Sequence, residues 1–446
     1  MPMNEVNITE LLDAKKRREL KEFIARGNAI DLAEEMEKLN EEHRVIFFRM
    51  LPKDAAADIF SYLSHDTQEA LIGSLTDPEI GHIVNDLFLD DAVDFVEEMP
   101  AGIVKRILRS ASNETRKQIN MLLQYREDSA GSIMTTEYVD LKEQMTVAEA
   151  FRRIRKVGMD KETIYTCYVT DSTRVLDGVV TVRALLLAQE TDKIGDIMQE
   201  NVIAARTDDD REHVAELFQK YDLIALPVVD TGGRLVGIVT VDDAMEVLEE
   251  ENTEDFHKMA ALQPMEEPYL SMSVLELAKK RFFWLLVLMV SAFLTGRIIN
   301  NYQDLFVIFP ALIASIPMLM DTGGNAGAQS STLIIRGMAV GELHTSDGWR
   351  ILWKELRVGA LVGVMLGAIN VCYKWALSGS LRLGLTVGLS LFATVLIAKT
   401  IGSMLPIIAK LLKLDPALMA APIVTTIVDA GGLVVYFKVA NIVMKI

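Results

Sequence analysis

The spacing of hydrophobic positions changes twice along this chain, and each change predicts a different kind of structure. Between residues 9 and 130 the apolar residues recur with helical periodicity. Residues 133–252 instead hold short apolar runs that are broken by turn residues, as in α/β units. After residue 280 the apolar runs approach the length of about 20 residues that crosses a bilayer. The pattern therefore predicts a helical region, an α/β region and a membrane region, in that order.

The helical region contains a weak internal repeat. A shift of 48 residues aligns Pro52 with Pro100, Ile59 with Ile107, Thr67 with Thr115, and Leu75 with Leu123. Repeats of this kind stack as helix pairs whose apolar faces cover one another. We predict an all-α helical-repeat N-terminal domain over residues 1–130, built as a small superhelix.

The α/β region is a tandem duplication. A shift of 59 residues aligns Thr181 with Thr240, and it also pairs Val169 with Val228, Leu176 with Leu235, Gly178 with Gly237, Val180 with Val239, and Val182 with Val241. Each copy is predicted as strand, tight turn, strand and capped helix. This doubled pattern resembles a tandem pair of α/β CBS domains, a module that pairs with itself and often binds adenine nucleotides. We place the first CBS domain at residues 131–195 and the second at residues 196–243.

The resemblance to CBS domains also implies a nucleotide contact. In that family a Ser/Thr-x-x-Asp motif at the helix start commonly holds a ribose. The second copy keeps the motif as Thr240 and Asp243, whereas the first copy has Thr181 and Ala184 and lacks the carboxylate. ATP is therefore an open possibility as a ligand, with Thr240 and Asp243 as its contacts.

Residues 244–270 are predicted to form an acidic connecting (plug) helix and a linker. The segment contains Glu249-Glu250-Glu251 and Glu254-Asp255, and the helix is expected to end before Pro264 and Pro268. Ser273 and Glu276 then offer a capping box for the helix that enters the membrane. A helix that joins a sensing region to a pore is well placed to gate it.

The last region, residues 271–446, is predicted to be a transmembrane pore domain with five helices. The five apolar stretches begin near Phe282, Leu305, Val358, Leu383 and Ala417. Basic residues precede the first stretch and follow the second and fourth, and by the positive-inside rule these ends face the cytoplasm. We therefore expect a multi-pass protein of the cell (inner) membrane, in contact with lipid, whose N-terminal domains are cytoplasmic.

The net charge of -18 conceals two regions of opposite sign. Residues 1–270 hold 55 acidic and 30 basic groups, for a charge of -25, whereas residues 271–446 hold 8 and 15, for +7. A strongly acidic region repels phosphate backbones, so nucleic acid is excluded as a partner and cations are favoured. No nucleophile and base constellation, phosphate loop or metal-hydrolase spacing occurs, so we do not expect an enzyme.

One carboxylate lies near the predicted middle of the membrane. Asp429 comes twelve residues into the apolar stretch 417–437, and Thr425 precedes it by one helical turn on the same face. A lone carboxylate at that depth is costly unless it faces water or a counter-charge, so it indicates a functional site. The alternative is a structural ion pair with Arg297 or Lys438.

The second predicted span carries a dense polar and glycine-rich run. If the run is helical, Asp321, Asn325 and Gln329 form one polar stripe; if it is unwound at its glycines, backbone carbonyls face a pore. In both cases these residues are expected to line water. Carboxylate, amide, hydroxyl and carbonyl oxygens suit hard cations such as Mg²⁺, Ca²⁺ or Mn²⁺. A single mid-membrane Asp429 in each chain favours a homodimer, because two carboxylates match one divalent charge.

The order of helical repeat, CBS pair, acidic helix and five spans is similar to the MgtE family of magnesium channels, over essentially the whole chain. The most specific stretches are residues 322–329, residues 332–336, and Leu414-Asp415-Pro-Ala-Leu418 leading to Asp429. The resemblance implies that Asp429 binds hydrated Mg²⁺ in the pore of a homodimer. It further implies one regulatory cation site of Asp415, Glu254 and Asp255, and another of Asp243, Asp90 and Asp91.

The function expected from sequence is a Mg²⁺-selective, Mg²⁺-gated channel for magnesium uptake and homeostasis. Acidic cytosolic domains repel one another, and bound Mg²⁺ removes that repulsion, so the channel closes when cytosolic Mg²⁺ is high. Two alternatives are a secondary active exchanger that couples a divalent cation to Na⁺ or H⁺, and a CBS-bearing membrane sensor without transport. The polar second span argues against the sensor.

Overall fold

The N-terminal part of the chain is a stack of short helices. The computed structural model describes residues 8–265 and 269–444, and it divides into two compact units, one ending at Leu248 and one starting at Glu249. Polar caps start several helices; for example, the Asn28 side chain accepts a hydrogen bond of 2.7 Å from the Asp31 amide. The helices are α1 (Ile8–Asp13), α2 (Arg17–Ile24), α3 (Ala29–Glu37), α4 (Glu41–Phe48), α5 (Lys53–Ser61), α6 (His65–Ser74), α7 (Asp77–Asp86), α8 (Leu89–Glu97), α9 (Ala101–Ser110) and α10 (Asn113–Leu122).

The predicted helical repeat is confirmed by the elements that it relates. Pro52 immediately precedes α5, and Pro100 immediately precedes α9. Ile59 and Ile107 occupy matching positions in these two helices, and both are fully buried. The 48-residue shift thus relates two helices that present the same apolar position to the core.

The next part contains two small mixed sheets of the same design. The first copy has β1 (Val139–Leu141), α11 (Val147–Val157), β2 (Thr166–Thr170), β3 (Leu176–Thr181), α12 (Val182–Leu187) and α13 (Ile194–Ile197), and the second has β4 (Ala205–Arg206), α14 (Arg211–Tyr221), β5 (Ala225–Val229) and β6 (Leu235–Thr240). In each sheet the first pair of strands is parallel and the second pair is antiparallel. The antiparallel register is also the same, since Thr166 pairs with Thr181 and Ala225 pairs with Thr240. The duplication is confirmed.

Each copy is completed by a segment that precedes the other copy. Thr135, before the first copy, forms an isolated bridge with Ile238 on β6, and Gln199, before the second copy, forms one with Val179 on β3. The two copies are therefore interlocked and fold as one body. The core of the second copy continues into the helical stack, because one cluster of buried residues joins Phe60 and Phe95 to Leu226 and Val239.

The acidic connecting helix starts earlier than its sequence suggests. It follows β6 without a loop as α15 (Val241–Met259), so the start of the helix and the acidic run belong to one element. It ends before Pro264, as expected, while Pro268 lies outside the described residues. The Ser273 side chain then accepts a hydrogen bond of 3.3 Å from the Glu276 amide at the start of the first membrane helix.

The C-terminal part is a bundle of long apolar helices. It contains α16 (Val274–Asn300), α17 (Gln303–Ile308), α18 (Ile316–Ala339), α19 (Gly348–Ser378), α20 (Leu381–Leu411) and α21 (Ala421–Met444). By length and hydropathy, four helical segments among the described residues can each cross a membrane: Val274–Asn300, Thr345–Ser378, Leu381–Leu411 and Pro416–Met444. The second predicted span corresponds to α18, whose polar run keeps it outside that group, so the number of five spans stays a prediction.

Helix α18 is buried in the bundle on its glycine-rich face. Gly327 on α18 lies directly against Gly402 on α20, and a side chain on Gly402 would collide with the Gly327 carbonyl. Small residues permit this approach of two backbones, as expected for packing in lipid. The polar run lies wholly within α18. Of the two forms that the sequence permits, the structure has the continuous helix and not the segment unwound at its glycines.

Candidate cation sites

Asp429 lies in a cavity within the helix bundle. The cavity has a volume of about 670 Å³, and its lining comes from α16, α18 and α21, namely Leu288, Ser291, Ala292, Thr295, Gly296, Ile299, Met320, Ala421, Pro422, Thr425, Thr426 and Asp429. The Asp429 Oδ1 atom is buried and has no hydrogen-bond partner among the described residues. A buried carboxylate oxygen is costly to leave unpaired, so the site is chemically suited to a cation or to ordered water.

Hydroxyl groups accompany this carboxylate, as the one-turn spacing predicts. Thr425 and Thr426 both line the cavity, and their hydroxyls donate hydrogen bonds of 3.0 and 2.9 Å to the Pro422 carbonyl. Each hydroxyl oxygen keeps lone pairs that can accept a hydrogen bond from the water shell of an ion. No ion pair joins Asp429 to Arg297 or Lys438 among the described residues, so the structural alternative is not adopted in this structure.

The polar stripe of α18 is exposed to solvent in this chain. Asp321, Asn325 and Gln329 are all solvent-accessible, and the Asn325 amide donates a hydrogen bond of 3.1 Å to Asp321 Oδ1. The charges of Asp321 and Asp429 interact electrostatically, so the two carboxylates of one chain belong to the same neighbourhood. Of the pore residues predicted from sequence, Thr425 and Asp429 share the cavity, while Asn325 and Gln329 extend the stripe away from it.

A buried ion pair behind α18 is a feature that the sequence reasoning missed. Lys399 on α20 is buried, and its Nζ lies 4.0 Å from Oε2 of Glu355 on α19. The Ser330 hydroxyl on α18 donates a hydrogen bond of 2.6 Å to the same oxygen. The signal was present, because Lys399 is a lone charge inside an apolar stretch of helix, and such residues are rare and functional or paired.

The helical stack and the second CBS copy bring a group of carboxylates together. Asp90, Asp91 and Asp94 on α8 lie near Asp243 at the start of α15, and their charges interact. Glu137 and Glu162, which were not anticipated from sequence, join the same group. We call these residues the acidic cluster: Asp90, Asp91, Asp94, Glu137, Glu162 and Asp243. The predicted trio of Asp90, Asp91 and Asp243 is thus brought together by the fold.

The acidic cluster holds its protons more tightly than free carboxylates do. Burial raises the pKa of both Asp90 and Asp243; the next cause is the charge of Asp91 for Asp90, and the charge of Asp90 for Asp243. Burial and then the charge of Asp243 raise the pKa of Asp91 to about 6. Burial and then the charge of Asp90 raise the pKa of Glu162 to about 9. Raised carboxylate pKa values mean that negative charge in this cluster is poorly compensated.

The predicted nucleotide contact has a different local role in this structure. The Thr240 hydroxyl donates a hydrogen bond of 2.5 Å to Asp243 Oδ2, and the Thr240 amide donates one of 3.3 Å to the same atom. Asp243 therefore closes the first turn of α15, and it faces the other carboxylates of the acidic cluster.

The regulatory site predicted at Asp415, Glu254 and Asp255 contains a lysine. The Lys258 Nζ lies 2.6 Å from Glu254 Oε1 and 2.7 Å from Asp415 Oδ2, so its ammonium bridges two of the three predicted ligands. Burial lowers the pKa of Lys258, but hydrogen bonds to Asp415 and Glu254 outweigh that effect and raise it. Burial and then the charge of Asp415 raise the pKa of Asp255 to about 6. The three predicted ligands do lie together, with a protein cation between two of them.

Direct metal coordination is not prearranged in these groups. Within residues 8–265 and 269–444, no group of three or more His, Cys, Asp or Glu side chains is placed to hold a metal ion directly. Mg²⁺ usually keeps several of its waters and uses one or two carboxylates, so this spacing is compatible with a hydrated ion.

Family models match three parts of the chain. The model described as a divalent cation transporter matches residues 316–439, and the MgtE intracellular N domain matches residues 28–128. CBS domains match residues 130–190 and 194–250. A bundle with a carboxylate-bearing cavity, joined to CBS domains and an acidic helical stack, is the plan of a cation transporter.

Relatives of the whole chain place it within one family. It is 38% identical over 444 residues to the magnesium transporter MgtE of Thermus thermophilus, covering 99% of this chain and 98% of that protein. It is 31% identical over 440 residues to the magnesium transporter MgtE of Bacillus subtilis, covering 98% and 96%. The chain belongs to the MgtE family of transporters. It is therefore a membrane protein whose N-terminal domains are cytosolic.

Two solved structures are similar to the cytosolic region. One is the cytosolic domain of the Mg²⁺ channel MgtE in complex with ATP, with 39% identity and a TM-score of 0.52, covering 54% of this chain and 98% of that one. The other is the soluble part of a magnesium transporter, with 30% identity and a TM-score of 0.52, covering 55% and 96%. The predicted succession of helical N domain and CBS pair is confirmed.

Proposed function

We propose that this protein is a homodimeric Mg²⁺ channel whose pore carboxylate is Asp429 and whose opening is controlled by cytosolic Mg²⁺. The observation that supports the pore assignment is the buried and unpaired Asp429 Oδ1 in a cavity between α16, α18 and α21. A negative group at membrane depth that has no counter-charge among the described residues attracts cations and is stabilised by them. Its relatives are named magnesium transporters, so we take Mg²⁺ as the transported ion.

The exposed stripe on α18 supports a dimer. Asp321, Asn325 and Gln329 would face lipid if a single protomer stood alone in the membrane, and polar side chains in hydrocarbon are costly. A second copy that places its own stripe opposite removes that cost and creates a polar path. Two Asp429 carboxylates would then match the charge of one hydrated Mg²⁺, and Asp321 would add negative charge to the same path.

The acidic cluster supports gating by the transported ion. The negative charges of the neighbouring carboxylates disfavour the ionisation of each group in the cluster. A divalent cation that binds there therefore relieves repulsion within the cytosolic unit. A ligand shifts a conformational equilibrium by its preference for one state, and Mg²⁺ prefers the state in which the carboxylates lie close together. High cytosolic Mg²⁺ therefore favours the compact, closed form.

The site around Lys258 supplies a second point of control. Glu254, Asp255 and Asp415 come together within one unit, and Lys258 already neutralises part of their charge. We propose that Mg²⁺ binds to the negative charge that Lys258 does not neutralise, which includes the charge of Asp255. Because Asp415 precedes the short 3-10 segment Pro416–Met419 that leads into α21, an ion bound there acts on the helix that carries Asp429.

ATP is a further candidate ligand of the cytosolic domains. A relative's cytosolic domain was solved in complex with ATP, and Thr240 and Asp243 keep the spacing of a ribose contact. Asp243 lies among carboxylates that repel a polyanion, so we propose that ATP reaches this position only as its Mg²⁺ complex. ATP titration of the purified protein with and without Mg²⁺ tests this, and Mg²⁺-independent binding that Thr240→Val abolishes would contradict it.

Single-channel recording in planar bilayers tests the channel and its gating together. With Mg²⁺ as the main charge carrier, the account predicts unitary currents without any Na⁺ or H⁺ gradient, and closure when Mg²⁺ is added to the cytosolic side. The triple variant Asp243→Asn, Glu254→Gln, Asp255→Asn should stay open at Mg²⁺ concentrations that close the wild type. Flux that requires a counter-ion gradient would instead support an exchanger, and normal closure of the triple variant would refute the gating sites.

A further inference from the structure

The first CBS domain contains a cavity with a basic lining. The cavity has a volume of about 390 Å³ and is lined by Thr136, Tyr138, Asp140, Arg153, Val157, Lys161, Thr170 and Arg174. Three of these eight residues are cationic and one is acidic, although the cytosolic region as a whole is strongly acidic. The volume lies within the range of about 300–1,000 Å³ that is usual for small-molecule sites.

Two of the three cations are held less tightly by carboxylates than the third. Arg153 is held by Asp140, since its Nε donates a hydrogen bond of 2.6 Å to the Asp140 carbonyl and its guanidinium pairs with the carboxylate. Arg174 donates a hydrogen bond of 2.8 Å to the Tyr138 hydroxyl. Among the described residues, neither Arg174 nor Lys161 forms a close ion pair, although the charge of Asp140 acts on Arg174 and that of Glu137 interacts with Lys161. The lining therefore has an excess of positive charge.

The backbone of Arg174 is strained. Arg174 has a φ of 70°, in the left-handed region that side chains disfavour. The residue at the same place in the second copy, 59 positions later, is Gly233, with a φ of 75°. Glycine adopts this conformation without cost, so an arginine here is not what the turn requires. Strained residues of this kind are concentrated at binding sites.

The second CBS copy shows that the fold does not need the cavity's polar residues. The N-caps Thr146 of α11 and Asp210 of α14 align the helices of the two copies, and the registers of β1 and β4 give the same shift of 64 residues. By this alignment, and by the shift of 59 in the hairpins, Tyr138, Arg153, Thr170 and Arg174 correspond to Val202, Leu217, Val229 and Gly233. One copy thus carries polar or cationic groups at four places where its twin carries none.

We propose that this cavity of the first CBS domain binds a phosphorylated small molecule, whose phosphate is held by Arg174 and Lys161 beside the Tyr138 hydroxyl. A guanidinium matches the oxygens of a phosphate with two parallel hydrogen bonds, and an ammonium adds a point charge. The lining does not include Thr240 or Asp243, and binding there does not require the proposed ion pathway. A nucleotide and an inorganic polyphosphate share this chemistry.

Calorimetric titration of the full-length protein in detergent tests the site, with ADP and inorganic diphosphate as the two probes. Arg174→Gly copies the twin residue and relieves the strained backbone, so its melting temperature should equal or exceed that of the wild type. We expect Arg174→Gly to weaken binding about tenfold or more, because it removes at least one charge-assisted hydrogen bond to the phosphate. Lys161→Ala should also weaken binding, whereas its matched control Lys156→Ala, an exposed lysine on α11, should not.

The outcomes separate the sources of the ligand and decide the proposal. Binding of both probes that is lost in Arg174→Gly supports a site that reads the phosphate alone. Binding of ADP only, with the same loss, supports a nucleotide site. Binding that survives both Arg174→Gly and Lys161→Ala places the ligand elsewhere and overturns the proposal, and so does the failure of both probes to bind at millimolar concentration.

Discussion

At the scale of single residues, the chemistry of this protein depends on carboxylates that have too little positive charge around them. In the part of the chain that the structure describes, Asp429 has a buried oxygen without a partner, and burial, followed by neighbouring carboxylates, raises the pKa of Asp90 and Asp243. Such groups bind either a proton or a metal cation, so the two compete. Because the raised pKa values lie near neutrality, small changes in pH change the number of ionised carboxylates in the cluster.

The first prediction concerns the stability of the cytosolic unit as pH changes. Raised folded-state pKa values mean that the folded chain binds protons more tightly than the unfolded chain, whose carboxyls titrate near 4. The stability that these protonated carboxyls contribute is therefore complete at low pH. It is lost as pH rises through about 6 to about 9, the pKa values of Asp91 and Glu162. In chelator, scanning calorimetry of the full-length protein should show the melting temperature of this unit falling over that range.

The change in melting temperature has an expected size, and variants of the same carboxylates test its cause. A change of about 1 kcal/mol in the free energy of unfolding moves the melting temperature of a unit of this size by about 2–4 °C. Added Mg²⁺ should reverse the fall at high pH, and the pair Asp91→Asn, Glu162→Gln should flatten the profile. The matched change Glu143→Gln, at an exposed position, should leave it as in the wild type. A melting temperature that rises with pH in chelator would contradict the pKa assignments.

At the scale of elements, helix α18 is fixed between its neighbours by polar contacts as well as by glycines. The Ser330 hydroxyl contacts Glu355 on α19, and the Ser331 hydroxyl donates a hydrogen bond of 2.7 Å to the Met419 carbonyl before α21. The helix that carries Asp321 is thus connected to the segment that leads to Asp429. Buried polar groups of this kind set the geometry of a site more than they add stability.

The second prediction concerns the buried pair of Lys399 and Glu355. Lys399→Met leaves Glu355 without its counter-charge, and breaking a buried pair in this way costs about 3–5 kcal/mol. The double variant Lys399→Met, Glu355→Gln removes the unpaired charge and should recover most of that loss. Thermal denaturation of the purified variants in detergent measures the coupling. Equal losses in the single and double variants would show that the two groups do not stabilise one another.

The third prediction concerns Lys258 on the connecting helix. Its ammonium occupies the position between Glu254 and Asp415 that a cation would take, so it competes with Mg²⁺ for these carboxylates. Lys258→Met should lower the cytosolic Mg²⁺ concentration needed for half-closure in channel recordings. The control is Lys279→Met, which removes a lysine from the start of α16 instead. A shift of half-closure to higher Mg²⁺ in Lys258→Met would mean that the lysine supports ion binding.

How far the sequence predicts these elements depends on whether the signal is local. The repeats at 48 and 59 residues, and the place of Asp429 in an apolar stretch, are local patterns, and the structure agrees with them. The pairing of Lys399 with Glu355, and the entry of Glu162 into the acidic cluster, join distant segments and leave no spacing to detect. The state of the run after Asp321 stayed open because glycines permit both a helix and an unwound segment.

At the scale of the whole molecule, the uneven distribution of charge is the basis of the proposed regulation. The cytosolic region carries -25 before any cation binds, and the membrane region carries +7. In the proposed regulation, divalent cations that neutralise the first region favour its compact form, while the carboxylates of the second admit the same ion. We therefore propose that sensor and pore respond to one species and that the transported ion limits its own entry.

The central claim, that Asp429 carries the ion, is tested most directly by Mg²⁺ uptake into proteoliposomes. Asp429→Asn keeps the size of the side chain and removes its charge, and the matched change Asp347→Asn lies outside the cavity. The account predicts that uptake is abolished in Asp429→Asn, or reduced at least about a hundredfold, the effect of losing about 2.7 kcal/mol. Uptake in Asp347→Asn should equal that of the wild type. Wild-type uptake by Asp429→Asn would contradict the account.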